Sequence, residues 1–176
     1  MQLHPPDFGT LALTLDDLSH FSELFDSCAK LMADTAIGGG TLYCVADAIC
    51  FSAAQQTATM LSHSPEDLRP GLPAAALQTD LAGMSQYKTM ATANDFAFCI
   101  GSPAVPSSID DWLGICLERN ITALIINPNL ESIIATDKAL ELRLEYTSFV
   151  DYMLNLSAVS NYLVKSIEMH VFGSTD

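Results

Sequence analysis

Histidines, cysteines, serines and carboxylates are the residues of this chain that could do chemistry, and their spacing limits what that chemistry is. The histidines are His4, His20, His63 and His170, in a terminal segment, on a polar helix face, in a loop and near the end of the last helix. None makes an HxxxH pair and no cysteine stands at a ligand spacing from them, so no metal site is expected. Cys28, Cys44, Cys50, Cys99 and Cys116 contain no CxxC pair, and each lies in an apolar stretch. There a free cysteine behaves as a small hydrophobe, and structural thiols fit a reducing cytoplasm. The chain has neither a GxSxG elbow nor a GxxxxGK[ST] loop. No nucleophile, base and orienting group assemble, so no residue is assigned a catalytic role and no cofactor is implied.

What remains are hydroxyls near helix starts, where free amides and the positive end of the helix dipole favour an anion. Ser52, Ser102, Ser107 and Ser108 occupy two such places and are the candidate ligand-binding residues. Each place also carries features that oppose binding. Residues 45–52 (VADAICFS) lack glycine, and Asp47 sets a negative charge where an anion would sit. Ser52 reads more readily as a helix cap than as a ligand contact. In residues 101–108 (GSPAVPSS), Pro103 and Pro106 remove two backbone donors, while Asp110 and Asp111 already occupy the positive end of the next helix. Gly38-Gly39-Gly40 precedes a strand, whereas phosphate loops follow one, so it reads as a turn.

The elements that would position these groups alternate. A Thr14–Asp17 capping pattern opens a helix whose Leu15, Leu18, Phe21, Leu24, Phe25, Cys28, Leu31 and Met32 form one buried stripe. Residues 41–46 read as a strand. In the helix over 52–61, Ala53, Ala54, Thr57 and Ala58 allow close approach to a neighbour. Residues 63–73 form a loop, and strands follow at 74–77, 96–100 and 121–126, the last apolar enough to be buried on both faces. Between the latter two, Ser107 or Ser108 caps a helix with Ile109, Trp112, Leu113, Cys116 and Leu117 on its apolar face. Alternation over 140–146 suits an edge strand. A second capping pattern, Ser148 and Asp151, opens the final helix, whose Phe149, Tyr152, Met153, Leu156, Val159, Ser160, Leu163 and Ile167 share a face. Strands separated by helices imply an α/β fold, a mostly parallel sheet flanked by helices on both faces in three layers. One domain is expected over 1–176, with an N-terminal helical segment at 1–40 and the α/β core at 41–173.

Composition excludes several functions. The 176 residues are 49% hydrophobic and only 16% charged, which rules out a disordered chain and hints at apolar interfaces. Seven Lys and Arg against 21 Asp and Glu give a formal charge of −14. The cations Lys30, Arg69, Lys88, Arg119, Lys138, Arg143 and Lys165 are scattered singly, so direct contact with nucleic acid or an anionic membrane is not expected. No apolar run approaches the roughly 20 residues of a spanning helix, and a cytoplasmic protein is expected.

Residues 69–80 (RPGLPAAALQTD), Ser52-Ala53-Ala54 with the following glutamines, residues 94–128 and the final strand and helix over 142–173 together resemble the sugar isomerase (SIS) domain family. The resemblance lies nearest to its phosphoheptose isomerases and to an initiator-associating protein that binds the replication initiator DnaA. The departures fall on the family's functional positions. Its Gly-Asn-Gly-Gly-Ser loop matches the glycine-free residues 45–52, and its Ser-Thr-Ser-Gly loop matches Gly101-Ser102-Pro103-Ala104. A phosphate-contacting hydroxyl segment falls at 145–148. The isomerases' Gln and His fall at Met153 and Leu156, and their catalytic Glu near Thr59. Between 79 and 96 the chain is shorter, so a helix and a substrate-contacting loop are expected to be missing.

Loss of a base and an acid removes proton carriers that each contribute on the order of 10²–10⁴-fold. The resemblance therefore implies a catalytically silent protein acting as an oligomeric scaffold or regulator. Its partners would be itself, as homodimer or homotetramer, and a protein such as the replication initiator. The alternative is a sugar-phosphate-binding module with residual isomerase activity through Ser52, Ser102, Ser107 and Ser108. A third reading is a subunit that lends a surface to an intact, glycine-loop paralogue.

Overall fold

The computed structural model describes residues 22–63, 70–103, 109–126 and 138–173, apart from 143, 145 and 147. Its elements run α1 (Ser22–Ile37), β1 (Leu42–Ala46), α2 (Phe51–Ser62), β2 (Ala74–Gln78), α3 (Leu81–Met90), β3 (Phe96–Ile100), α4 (Asp110–Glu118), β4 (Thr122–Ile126), β5 (Ala139–Leu142) and α5 (Phe149–Phe172). Among the described residues the strands form one parallel sheet in the order β2-β1-β3-β4-β5. This is the expected α/β architecture, with β5 at an edge.

Side chains alternate across a strand, and this divides the interior into two cores. Leu42, Cys44, Phe96, Phe98, Ile100, Leu124 and Ile126 face α1, α2 and α5. Tyr43, Val45, Ala97, Cys99, Ala123 and Ile125 face α3 and α4, where Tyr87 meets Tyr43 edge-on and Trp112 at a tilt, at centroid distances of 5.0 and 4.6 Å. Strands β1 and β3 are buried at every residue because both faces are covered. All five cysteines are free and buried.

The glycine turn is as expected. Gly39 ends α1 at φ 80°, a backbone region that costs glycine little, and a side chain on Gly40 would strike the Asn94 carbonyl at 2.0 Å. Ser148 caps α5 by accepting the Asp151 amide at 3.2 Å.

Several expectations need correction. The segment between 79 and 96 does contain a helix, α3. Asp80 opens it by accepting the Gly83 amide at 2.7 Å, and Gly83 lies so close to β2 that an added Cβ would meet the Gln78 carbonyl at 2.1 Å. Leu31 is 41% exposed, since successive helix residues point about 100° apart and the core is already filled by Cys28 and Met32. Phe149 is 46% exposed because it stands on the first turn of α5, at the end of the buried stripe. Helix α4 begins with Ile109 at its cap position, not with a serine. The Thr14–Asp17 pattern lies outside the described residues.

Candidate functional site

In an open parallel sheet, ligands bind beyond the carboxyl ends of the strands, where the strand order reverses. Here β1 has β2 on one side and β3 on the other. The chain leaves β1 for a helix on one face and β3 for a helix on the opposite face, so the β1–α2 and β3–α4 loops border the reversal.

Asp47 directly follows β1 and is only 3% exposed. Its Oδ1 accepts the backbone amides of Ile49 and Cys50, both at 2.9 Å. These amides stand at the start of α2, where no intrahelical acceptor exists. Its Oδ2 accepts the backbone amide of Ser102, 55 residues further along, at 2.7 Å. One carboxylate thus satisfies three amides from both switch-point loops. Charge-assisted bonds of this type are about twice as strong as neutral ones.

A second bridge reaches the same loop from α5. The Tyr152 hydroxyl donates to the Gly101 carbonyl, which the Cys50 thiol also approaches at 3.9 Å. The Gly101 amide in turn donates to the Ile126 carbonyl at 2.9 Å. Burial, with Cys50, Asp47 and Tyr146 nearby adding to it, pushes the Tyr152 hydroxyl well above the usual tyrosine range, so it remains a donor. Burial, with Asp47 adding to it, pushes the Cys50 thiol up to about 12. Neither group supplies a base near neutral pH.

Beside these bridges lies a groove of about 350 Å³, lined among the described residues by Ile49, Pro103, Tyr146 and Phe149. Tyr146 packs edge-on against Tyr152, with ring centroids 5.6 Å apart. A sugar needs hydrogen-bonding groups in its site, and these side chains offer a single phenol. Ile49, Tyr146 and Phe149 are all substantially exposed.

The sequence-derived candidates are only partly assembled. Ser102 is at the switch point, but it is fully buried and its amide is held by Asp47. Ser52 is exposed on the first turn of α2. It is not the helix cap: the helix begins one residue earlier, with Cys50 at the cap position and Asp47 taking the early amides. Ser107 and Ser108 lie outside the described residues. Met153 is half-buried, while Leu156 is fully buried among the core residues of α5. Thr59 is exposed and its hydroxyl donates to the Gln55 carbonyl at 2.8 Å within its own helix. Among the described residues no three His, Cys, Asp or Glu side chains group as metal ligands. No described helix is long and apolar enough to cross a membrane.

The sequence shows the charge of Asp47 but not its bonds. The missed signal was an aspartate two and three residues ahead of free amides at a helix start, a pattern in which Asp folds back onto the backbone.

No family model matches the sequence, and no curated protein matches it. Solved structures do match the fold. A phosphoheptose isomerase from Francisella tularensis superposes with a TM-score of 0.72 at 18% identity, covering 88% of this chain and 98% of that one. Phosphoheptose isomerase GmhA from Neisseria gonorrhoeae gives 0.67 at 16% identity, covering 91% and 95%. The sugar isomerase domain of an RpiR transcription factor from Sphaerobacter thermophilus gives 0.62 at 15% identity, covering 90% and 87%.

Proposed function

We propose that this chain, which has the sugar isomerase fold, is a catalytically silent protein that works as an oligomeric scaffold or regulator. The observation that carries this reading is the switch-point groove, whose described lining of Ile49, Pro103, Tyr146 and Phe149 offers one phenol and no carboxylate, imidazole or amine to pair with it as acid and base. Moving a proton along a sugar phosphate needs both. The two positions where the resemblance puts proton carriers hold Leu156, a core residue, and Thr59, an exposed hydroxyl bonded to its own helix.

Partner contacts are supported by exposed apolar side chains on the helical surfaces. Ile37 on α1, Leu81 and Met90 on α3, and Met169 and Phe172 on α5 are all open to solvent. A second copy of the chain, as dimer or tetramer, is the first partner on this reading, and a protein such as the replication initiator is the second. Five buried free thiols agree with a cytoplasmic setting. That the same fold occurs in a transcription factor supports a regulatory use.

A second reading, a sugar-phosphate-binding module with residual isomerase activity, draws on the isomerase structures that share the fold. Light scattering together with an isomerase assay separates the two. Dimers or tetramers without turnover support the scaffold reading, whereas a monomer ends its oligomeric form and turnover ends its silence.

A further inference from the structure

Three amides converging from two loops form an anion cradle, and here the cradle is full. Ile49, Cys50 and Ser102 direct their N–H groups at Asp47 from 2.9, 2.9 and 2.7 Å, and the carboxylate is almost wholly removed from solvent. Ile49 and Cys50 bond Asp47 as a local turn would, but Ser102 comes from the other side of the strand-order reversal, which no local turn explains. A capping aspartate needs only its own helix; Asp47 also spans 55 residues to β3.

We infer that Asp47 is a resident anion: its carboxylate occupies the switch-point amides in place of a free phosphate or carboxylate, excludes both, and pins the β1–α2 loop to the β3–α4 loop. Its advantage over a free anion is entropic, since the group is already tethered and a solute must give up its free motion to compete. Charge adds to the exclusion, because a second anion near Asp47 would meet like charge in a poorly hydrated place. Asp47 is therefore a specificity-determining residue. The inference rests on the reading of this site as one that holds no sugar phosphate.

The test is chemical rescue. Asp47→Ala leaves three amides without their acceptor and is expected to lower Tm by on the order of 10 °C. Sodium formate or inorganic phosphate at roughly 100 mM should restore at least about half of the loss, with sodium chloride at equal ionic strength as control. Wild-type protein should not respond to either anion. Unchanged stability of Asp47→Ala, or no anion-specific recovery, overturns the inference.

The wild type supplies a second arm should the variant not fold. The amide signals of Ile49, Cys50 and Ser102 should stay slow to exchange and unshifted in phosphate. Movement of those signals shows that Asp47 yields its place, and overturns the exclusion. Sugar-phosphate binding that leaves the three amides undisturbed would end the scaffold reading and leave Asp47 as the resident anion.

Discussion

The hydroxyl of Tyr152, on the first turn of α5, donates to the carbonyl of Gly101 at the end of β3. The last helix is thereby fastened to the chain just past β3, at the carboxyl end of the sheet where ligands bind in open α/β folds. Tyr152 is fully buried and packs against Tyr146, so the ring fills space as well as supplying the bond.

Tyr152→Phe keeps that space and removes the bond, leaving the Gly101 carbonyl with the weaker thiol contact from Cys50. Loss of one buried hydrogen bond should cost about 1–2 kcal/mol. Urea unfolding of the two proteins measures this, and equal midpoints would show that the bond contributes nothing.

Restoring a histidine where the resemblance puts one should fail. Leu156 is fully buried among the core residues of α5, so Leu156→His places an imidazole in apolar surroundings. The variant should lose on the order of 2–4 kcal/mol and gain no isomerase activity. Turnover above that of the wild type in a coupled assay would contradict the placement of the position in the core.

Alkali should unfold the protein early. Burial pushes Cys28, Cys44 and Cys50 up from 9.0 to about 12. In the unfolded chain these thiols lose protons first, so their contribution is intact below pH 9 and is lost as pH rises toward 12. Urea midpoints should be level up to about pH 8.5 and fall steadily from about pH 9 to 11. A midpoint that stays level across that range would mean that the thiols reach solvent.

Gly83→Ala tests how α3 is seated. The added Cβ would meet the Gln78 carbonyl at 2.1 Å, and backbone cannot move aside cheaply. A loss of about 2–3 kcal/mol is expected, although alanine is the better helix former. A Tm at or above that of the wild type would show that α3 packs farther from β2.

Periodicity revealed most of this fold. Strands β1, β3 and β4 announce themselves as short apolar runs, because burial on both faces leaves no polar position. The cap of α5 is visible as Ser148 and Asp151, where a hydroxyl stands three residues before the amide it accepts. Helix α3 was hidden since only Gly83 and Tyr87 of its residues are buried, and two positions do not make a stripe. At the candidate site, Ser52 and Ser102 stand on the two loops that Asp47 joins, but serine types alone do not reveal the group that joins them. That group is a single aspartate whose partners are backbone amides, and backbone partners leave no mark on residue type. The groove residues Ile49 and Phe149 escaped for a related reason: both continue core-like patterns past the point where the core ends.

The claim that the strand ends no longer serve a sugar phosphate is tested most directly by titrating the wild-type protein with sedoheptulose 7-phosphate and fructose 6-phosphate while following Tm, with inorganic phosphate as control. A ligand at about 100 times its Kd would stabilise the fold by about 2.7 kcal/mol, roughly 5–10 °C for a chain of this size. No shift with any of the three is the expected result. A shift specific to one sugar would contradict it and return the chain to the sugar-phosphate-binding proteins whose fold it shares.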